Sequence, residues 1–234
     1  FRVPLMFRTL LADNSEHRVT HLTLWDTDAA RLGVIRSILG AMAKGHHHAP
    51  LVTLATGLEE AVAGADFVFS AIRVGGTQGR AVEEVIARCC GVLGQETTGF
   101  GGLNYALRGI PTAVEIAHAI SRAAPQAHLI NFTNPAGIIT EVSSQILGDR
   151  VIGICDSPVG LARRVLSTLR AAGLVPPEAA SQVLAGDDRV RLDYAGLNHL
   201  GWLQRLLVDG EDVLPLLLER PELIGAFEEG RLFG

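Results

Sequence analysis

The chain has 234 residues, of which 48% are hydrophobic and 19% are charged, and its formal net charge is -5. A chain of this length and hydrophobicity can bury a core, and its length allows one large domain or two modest ones. Its scattered lysines and arginines argue against nucleic acid as a partner, and the lack of a ~20-residue apolar run or of a signal segment predicts a cytoplasmic protein without a membrane partner.

Apolar runs of strand length alternate with longer stretches of helical spacing, which is typical of an α/β fold with a parallel sheet. A further strand is predicted to end at His199, after a turn at residues 186–188. Near residue 160 the alternation gives way to a less repetitive tail. The predicted strands are 20–25, 51–55, 66–71, 128–131 and 151–155, and the predicted helices are 3–12, 27–44, 57–63, 79–90, 109–124, 135–147 and 160–172.

Two residues that bind metals in many proteins, Cys155 and His199, each end an apolar strand-like run. In an open α/β sheet, ligands bind in the crevice outside the carboxyl ends of the strands, so a thiol and an imidazole placed there can meet on one ion. Two protein ligands leave coordination positions for substrate oxygens. The alternative is an inert buried cysteine and a histidine that is hydrogen-bonded without a metal. The three cysteines are odd in number and two are adjacent, which argues against a disulfide framework and suits a reducing compartment.

Asp26 follows a predicted strand at the position where a dinucleotide-binding fold places a carboxylate on the adenosine ribose. The alternative is that Asp26 caps the helix that begins at residue 27. The first predicted helix would direct its N-terminus at the pyrophosphate. We predict that Asp26, Arg2 just before that first helix and Asn131 at the end of a later strand bind a dinucleotide cofactor.

Three more polar residues stand at turns. Arg73 precedes two glycines, where a guanidinium can hold a phosphate or carboxylate; the alternative is a surface arginine before an ordinary turn. Residues 94–102 are too polar and glycine-rich for the interior of an element, and they predict an ordered loop near a ligand, in which Glu96 is an acid, a base or an anchor. Asn134 precedes a proline, and it either caps a helix or contacts a sugar-like hydroxyl.

Five motifs in chain order resemble those of glycoside hydrolase family 4, whose members are relatives of lactate and malate dehydrogenases. The resemblance covers nearly the whole chain. This family is an exception to the usual two-carboxylate scheme of glycosidases. The motifs are Arg-Val-Gly-Gly at residues 73–76, Gly-Gln-Glu-Thr-Thr-Gly at 94–99, Asn-Phe-Thr-Asn-Pro-Ala-Gly at 131–137, Gly-Ile-Cys-Asp-Ser-Pro at 153–158 and Gly-Leu-Asn-His at 196–199.

The resemblance implies a Rossmann-like, doubly wound parallel sheet that binds NAD over residues 1–160. It implies that residues 161–234 begin a partial α+β substrate or catalytic domain. We expect the first strand and the glycine turn of the NAD-binding domain, and the rest of the second domain, to be missing from this sequence. It also implies a homo-oligomer, either a dimer or a tetramer.

By the same resemblance, Cys155 and His199 are the ligands of a divalent metal, usually Mn²⁺. Arg73 resembles a residue near the substrate phosphate, and Asn134 resembles a substrate contact beside the nicotinamide. The predicted substrate contacts are Arg73, Glu96, Asn134 and Asn198.

The implied reaction begins with oxidation of the sugar at C3 by NAD⁺ and metal-assisted removal of the C2 proton. Elimination of the aglycone, addition of water and return of the hydride complete it. The base in this family is usually a tyrosine, which we expect beyond residue 234. No catalytic base is therefore assigned, since neither Tyr105 nor Tyr194 stands in the matching context.

The substrate prediction depends on Cys-Asp-Ser-Pro at residues 155–158. This stretch matches neither the Cys-Asn-Val-Pro of 6-phospho-β-glucosidases nor the Cys-Asp-Met-Pro of 6-phospho-α-glucosidases, but its proline favours a phosphorylated sugar. Residues 1–4 and 95–97 resemble the β-specific branch, so we predict a 6-phospho-β-glucosidase acting on a phosphorylated disaccharide or aryl glycoside. The alternatives are a 6-phospho-α-glucosidase, an NAD-dependent hydroxy-acid dehydrogenase and a non-catalytic dinucleotide-binding protein.

Overall fold

The computed structural model describes residues 2–179, 183, 189–197 and 199–224. The chain forms two compact units. The first consists of Phe1–Gly79, Ala106–Asn134 and Ile138–Gly153, and the second of Arg80–Tyr105, Pro135–Gly137 and Ile154–Gly234. The division into a domain of residues 1–160 and a domain of residues 161–234 stays a prediction.

Helices and strands alternate in the order that the hydrophobic pattern predicts. Within the described residues, no helix is both long enough and apolar enough to span a membrane. The elements are α1 (Arg2–Ala12), β1 (His21–Leu24), α2 (Ala29–Met42), β2 (Leu51–Leu54), α3 (Leu58–Val62), β3 (Phe67–Ser70), α4 (Gly76–Cys89), α5 (Gly99–Ala123), β4 (His128–Asn131), α6 (Ala136–Leu147), a short 3-10 helix (Gly148–Arg150), β5 (Val151–Gly153), α7 (Ser157–Ala171), β6 (Val190–Ala195), β7 (Trp202–Val208), β8 (Glu211–Asp212), α8 (Leu214–Leu218) and α9 (Pro221–Ile224).

The strands of the first unit are all parallel, as predicted. β1 pairs with β2, and β3, β4 and β5 form a second group with β4 in the middle. Ser70 lies opposite Asn131, and Asn131 lies opposite Gly153. The three strands of the second group therefore end level with one another. Their following loops leave the sheet at one edge, which is where α/β folds bind ligands.

Two apolar clusters stabilise the first unit. One is centred on Ile116 and Ile120 of α5, which lie one helical turn apart and pack with Leu129 of β4. The other joins Phe7 of α1 and residues of β1 and α2. Each cluster buries one apolar face of a helix against neighbouring apolar side chains, which is the main stabilising contribution in such a fold.

The structure corrects the prediction that residues 94–102 are entirely loop, because α5 begins at Gly99. A Cβ atom at Gly101 would overlap the carbonyl oxygen of Gln95, and one at Gly102 would overlap the backbone of Thr97. These two glycines are therefore helical residues that allow the preceding loop to lie directly on the helix. The glycine content reflects this close approach and does not indicate a break in structure.

The second unit contains an antiparallel sheet in which β7 lies between β6 and β8. The prediction of a strand that ends at His199 is wrong about where the strand ends and about the sheet to which it belongs. It ends at Ala195, where the pairing with β7 stops at Trp202, and it belongs to this antiparallel sheet, not to a parallel one. The apolar core of the unit includes Leu169 of α7 and Leu206 of β7. The predicted turn at residues 186–188 lies outside the described residues.

Candidate functional site

Polar groups meet where β3 and β4 end. The hydroxyl of Thr133 accepts a hydrogen bond from the backbone N–H of Ile72 over 3.1 Å. The backbone N–H of Thr133 in turn donates to the side-chain oxygen of Asn131 over 3.0 Å. These bonds tie the segment that carries Arg73 to the segment that carries Asn134. The structure therefore links two of the predicted substrate-binding segments within the first unit.

Asn131 is fully buried, and its amide nitrogen donates to the carbonyl oxygen of Thr133 over 3.3 Å and to the hydroxyl of Thr140 over 3.1 Å. Its described contacts are thus with the chain itself and shape the loop after β4. The predicted cofactor contact of Asn131 stays a prediction. Asn134 is half-buried and precedes the first residue of α6, Ala136, by two positions. Its predicted contact with a sugar hydroxyl and the alternative of a helix cap both stay predictions.

The turn after Arg73 requires its glycines. Gly75 and Gly76 have φ angles of 80° and 59°, in the left-handed region that other residues rarely adopt. The Nε of Arg108 donates to the carbonyl oxygen of Val74 over 2.8 Å, and a Cβ at Gly75 would lie 2.7 Å from that Nε. Arg108 thus stabilises the turn through this hydrogen bond. Sequence reasoning missed this role, because Arg108 lies in the interior of a helix, 34 residues further along the chain than Val74.

Asp26 lies just beyond β1, and 33% of its side chain is exposed. One carboxylate oxygen accepts the backbone N–H of Asp28 over 2.9 Å, and the other lies 3.6 Å from the guanidinium of Arg31. The residue that caps α2 is Asp28, whose carboxylate accepts the N–H of Arg31, so the alternative of Asp26 as the cap is wrong. This hydrogen bond lowers the pKa of Asp28. The exposed part of Asp26 can accept a hydrogen bond from a ribose hydroxyl.

Arg2 lies in α1, and its guanidinium carbon is 3.7 Å from the ring centroid of Phe132. A guanidinium over an aromatic face is attracted by the electron density of the ring. The contact joins the first helix to the segment that follows β4. The predicted role of Arg2 in cofactor binding stays a prediction.

In the second unit, the loop before α5 is organised by the side chain of Gln95. Its oxygen accepts the backbone N–H groups of Thr97 over 2.7 Å and of Thr98 over 3.2 Å. It also accepts the hydroxyl of Thr97 over 3.1 Å. The same hydroxyl lies 2.9 Å from Nδ1 of His199. The structure therefore brings a predicted metal ligand into contact with the loop that contains Glu96, and sequence reasoning missed both Gln95 and Thr97.

Glu96 forms an ion pair with Arg80 over 2.9 Å, and only 14% of its side chain is exposed. Arg80 also bonds Glu84 over 2.7 Å. The hydrogen bond to Glu84 raises the pKa of Arg80 against the opposing effect of burial, and the charges of Glu96 and Glu84 raise it further. A carboxylate held by a permanently charged guanidinium is an anchor for its loop. Of the three roles considered for Glu96, the contacts favour this one.

Cys155 lies in a loop and not in a strand, because the pairing of β5 with β4 ends at Gly153. It is half-buried; its sulfur accepts the backbone N–H of Ser157 over 3.5 Å and its thiol lies 3.4 Å from the Ser157 hydroxyl. Ser157 is the first residue of α7, so these contacts place the Cys155 sulfur at the start of that helix. All three cysteines are described and free.

The donors present suit a divalent transition metal, since thiolate and imidazole are both common ligands of such ions. Among residues 2–179, 183, 189–197 and 199–224, no group of three or more His, Cys, Asp or Glu side chains is placed to bind one metal ion. The role of Cys155 and His199 as metal ligands stays a prediction, in which water or substrate oxygens would fill the other coordination positions. Asn198, a predicted substrate contact, lies outside the described residues.

Comparison with known proteins identifies the family. The sequence profile of the family described as "Family 4 glycosyl hydrolase" matches residues 3–171. This chain belongs to glycoside hydrolase family 4. Among its family 4 relatives, a 6-phospho-beta-glucosidase of Thermotoga maritima is 31% identical over 221 residues, which cover 94% of this chain and 49% of that protein. A maltose-6'-phosphate glucosidase of Bacillus subtilis is 32% identical over 220 residues, which cover 92% of this chain and 46% of that protein.

Solved structures confirm the fold of this family 4 chain. A 6-phospho-alpha-glucosidase from gut microorganisms, solved in complex with NAD and Mn²⁺, superimposes with a TM-score of 0.77 at 30% identity, covering 95% of this chain and 48% of that one. A malate dehydrogenase from Plasmodium falciparum superimposes with a TM-score of 0.57 at 14% identity over 95% of this chain and 61% of that one, which shows a shared Rossmann-type fold. The chain spans about half the length of the curated relatives it matches.

Proposed function

We propose that this family 4 protein is a glucosidase that cleaves 6-phosphoglucosides with NAD and a divalent metal. Mn²⁺ is the metal that we expect. The observation that carries the proposal is the 2.9 Å contact between Thr97 and His199. It joins two of the five family motifs, although they are far apart in the sequence. Relatives named as 6-phospho-beta-glucosidase and 6-phospho-alpha-glucosidase support the substrate class.

Cys155 and His199 are the proposed metal ligands. A metal held by Cys155 and His199 would supply a Lewis acid for the neighbouring sugar oxygens, and NAD⁺ would supply the oxidant for C3 of the sugar, which together would acidify the C2 proton. Asp26 would hold the adenosine ribose, with Arg2 and Asn131 as further proposed cofactor contacts. The chain's own contribution is to hold these groups in fixed positions, which is where much of enzymatic rate enhancement arises.

The proposed substrate contacts are at the ends of the first unit's strands and in the motif loops. Arg73, on a turn fixed by Arg108, offers its guanidinium to the 6-phosphate, which a planar fork binds well. Asn134 offers an amide to a sugar hydroxyl, and Asn198 is a further proposed contact. Glu96 would act on the substrate mainly by anchoring its loop through Arg80.

We propose a β-linked substrate, on the resemblance of residues 95–97 and of the N-terminal residues to the β-specific branch. The second candidate is an α-linked 6-phosphoglucoside, because the relatives include enzymes of both names. The Cys-Asp-Ser-Pro stretch at residues 155–158 resembles each branch in part. Assays with paired α and β substrates separate the two.

The test is hydrolysis of a chromogenic 6-phospho-β-glucoside and its α counterpart by the native gene product. We expect cleavage only when NAD⁺, Mn²⁺ and a reductant are all present, and we expect Cys155→Ser to abolish the Mn²⁺-dependent activity because a hydroxyl is a poorer ligand than a thiolate. Cys89→Ser, at an exposed cysteine, is the matched control and should behave as the wild type. Accumulation of NADH from a hydroxy acid without glycoside cleavage would instead indicate a dehydrogenase.

A homo-oligomer is the proposed assembly. Val82, Val85 and Ile86 lie on one face of α4 and are 50%, 58% and 52% exposed. A cluster of exposed apolar side chains marks a surface for protein association, and we propose a second copy of this chain as its occupant. Val85→Glu should shift the sedimenting species toward the monomer, whereas Val34→Glu on α2 should not. An unchanged sedimentation profile for both would remove α4 from the interface.

We propose that the protein works in the cytoplasm. Cys89 and Cys90 are exposed and free, and thiols of this kind persist in a reducing compartment. A phosphorylated sugar, the proposed substrate, is also a charged molecule that membranes retain inside the cell. Fractionation of cells that produce the tagged native protein tests the location.

A further inference from the structure

The contacts around Gln95 determine the direction of one hydrogen bond. One terminal atom of the Gln95 carboxamide lies 2.7 Å from the backbone nitrogen of Thr97 and 3.2 Å from that of Thr98. A backbone N–H can only donate, so the atom that receives both is the carboxamide oxygen and not the NH₂ group. An amide oxygen can only accept. The third contact, from the hydroxyl of Thr97 at 3.1 Å, must therefore be donated by the hydroxyl.

The consequence reaches His199. A threonine hydroxyl has one proton, and in Thr97 that proton points to Gln95. Toward Nδ1 of His199, 2.9 Å away, the hydroxyl can then only accept. Nδ1 of His199 must carry a proton to donate. In a neutral imidazole this leaves Nε2 with its lone pair available for a metal.

The position of Thr97 is itself fixed. The residue is 8% exposed, so little water competes for its hydroxyl. Gly102, at the start of α5, lies so close to the backbone of Thr97 that no Cβ fits between them. Packing against α5 thus fixes the backbone of Thr97, and with it the position from which the hydroxyl makes its hydrogen bonds.

We propose that Thr97, oriented by Gln95, is a positioning residue that sets the tautomer of His199, with the proton on Nδ1 and with Nε2 directed to a divalent transition metal. The inference rests on the proposed function, in which His199 is a metal ligand. Groups that bond the second nitrogen of a ligating histidine commonly fix its tautomer and ring orientation, and their loss lowers metal affinity by about 10- to 100-fold.

The first experiment measures the tautomer without any metal. The full chain is labelled with ¹⁵N-histidine, its long-range ¹H–¹⁵N correlations are recorded at mildly alkaline pH, and the His199 signals are identified by their loss in His199→Gln. We expect the Nδ1-protonated pattern in the wild type and in Thr97→Ser. Thr97→Val, which keeps the shape and removes the hydroxyl, should move His199 toward the Nε2-protonated form that free imidazole side chains favour. An Nε2-protonated wild type overturns the inference without any variant.

The second experiment titrates Mn²⁺ into the same proteins and follows binding by calorimetry. We expect Thr97→Val to weaken binding by about 10- to 100-fold and Thr97→Ser to restore it to within a few-fold of the wild type. Gln95→Leu, which frees the hydroxyl proton, should weaken binding less than Thr97→Val. If His199→Gln binds Mn²⁺ as the wild type does, the ligand assignment of the proposed function fails. If His199→Gln loses Mn²⁺ but Thr97→Val keeps both the tautomer and the affinity, only the positioning role fails.

Discussion

The hydroxyl oxygen of Thr133 lies 3.1 Å from the backbone nitrogen of Ile72 and accepts its hydrogen bond. Thr133 is 3% exposed, and its hydroxyl is also 3.3 Å from that of Ser70 at the end of β3. A single side chain in the Asn-Phe-Thr-Asn-Pro motif thus holds the exit of the neighbouring strand in place. This explains how a threonine without a predicted role contributes to the geometry of a site.

Replacing Thr133 by valine should destabilise the first unit. The substitution keeps the side-chain shape but leaves the backbone N–H of Ile72 without its acceptor, at a cost of about 1–3 kcal/mol. Urea denaturation followed by circular dichroism measures the change. Thr133→Ser keeps the hydroxyl and should cost less than Thr133→Val; a valine variant as stable as the wild type would show that the bond is unimportant.

Gly102→Ala should destabilise the second unit. The new Cβ would overlap the backbone of Thr97, and relieving such overlap by backbone movement costs about 1–3 kcal/mol. Gly33→Ala in α2 is the control, because nothing lies within 4 Å of the added Cβ. In that helix alanine should stabilise by about 0.4–1 kcal/mol. Thermal denaturation measures the change in melting temperature of each variant. Two changes of the same sign would contradict this account.

Under the proposed function, Arg108→Met should weaken the binding of glucose 6-phosphate by about tenfold, which corresponds to about 1.4 kcal/mol, because the turn that carries Arg73 loses the hydrogen bond at Val74. Isothermal calorimetry on the NAD-loaded native protein measures the affinity. Arg122→Met removes a guanidinium that pairs with Glu59 on the surface, and it should leave the affinity unchanged. If both variants bind glucose 6-phosphate with equal affinity, Arg108 does not contribute to phosphate binding.

Leu169→Ala should destabilise the core of the second unit by about 2–5 kcal/mol, because the leucine is fully buried and the truncation leaves a cavity. Leu197→Ala is the matched control, since Leu197 is 84% exposed and the same truncation removes little buried surface. Denaturant titrations of the two variants should differ clearly. Similar midpoints would mean that the α7 face contributes little to the unit.

Asp28→Ala should reduce stability in a pH-dependent manner. The backbone N–H of Arg31 lowers the pKa of Asp28 below 3.8 in the folded protein, so the charged form is favoured by folding. Its contribution is fully present above the unfolded pKa and is lost as the pH falls through the folded pKa. The difference in melting temperature between wild type and variant should therefore be constant near neutral pH and shrink in acid. A difference that persists in strong acid would point to another cause.

Much of the fold was predictable from local signals. The five parallel strands were predictable because each is a short apolar run with turn residues on either side. The strand ends were predicted less well. Cys155 lies two residues beyond β5, and β6 ends before the segment of His199, because strand ends depend on where a neighbouring strand stops pairing.

The sequence by itself determined the alternation of strands and helices, the membership of family 4 through its ordered motifs, and the candidate residues at each turn. Only the tertiary structure decided which side chains meet. Thr97 reaches His199, and Arg108 reaches the turn after Arg73, through contacts between residues distant in the chain. The physical reason is that hydrophobic periodicity and turn propensity act over a few residues, whereas a hydrogen bond between distant segments depends on the packing of the elements that carry them.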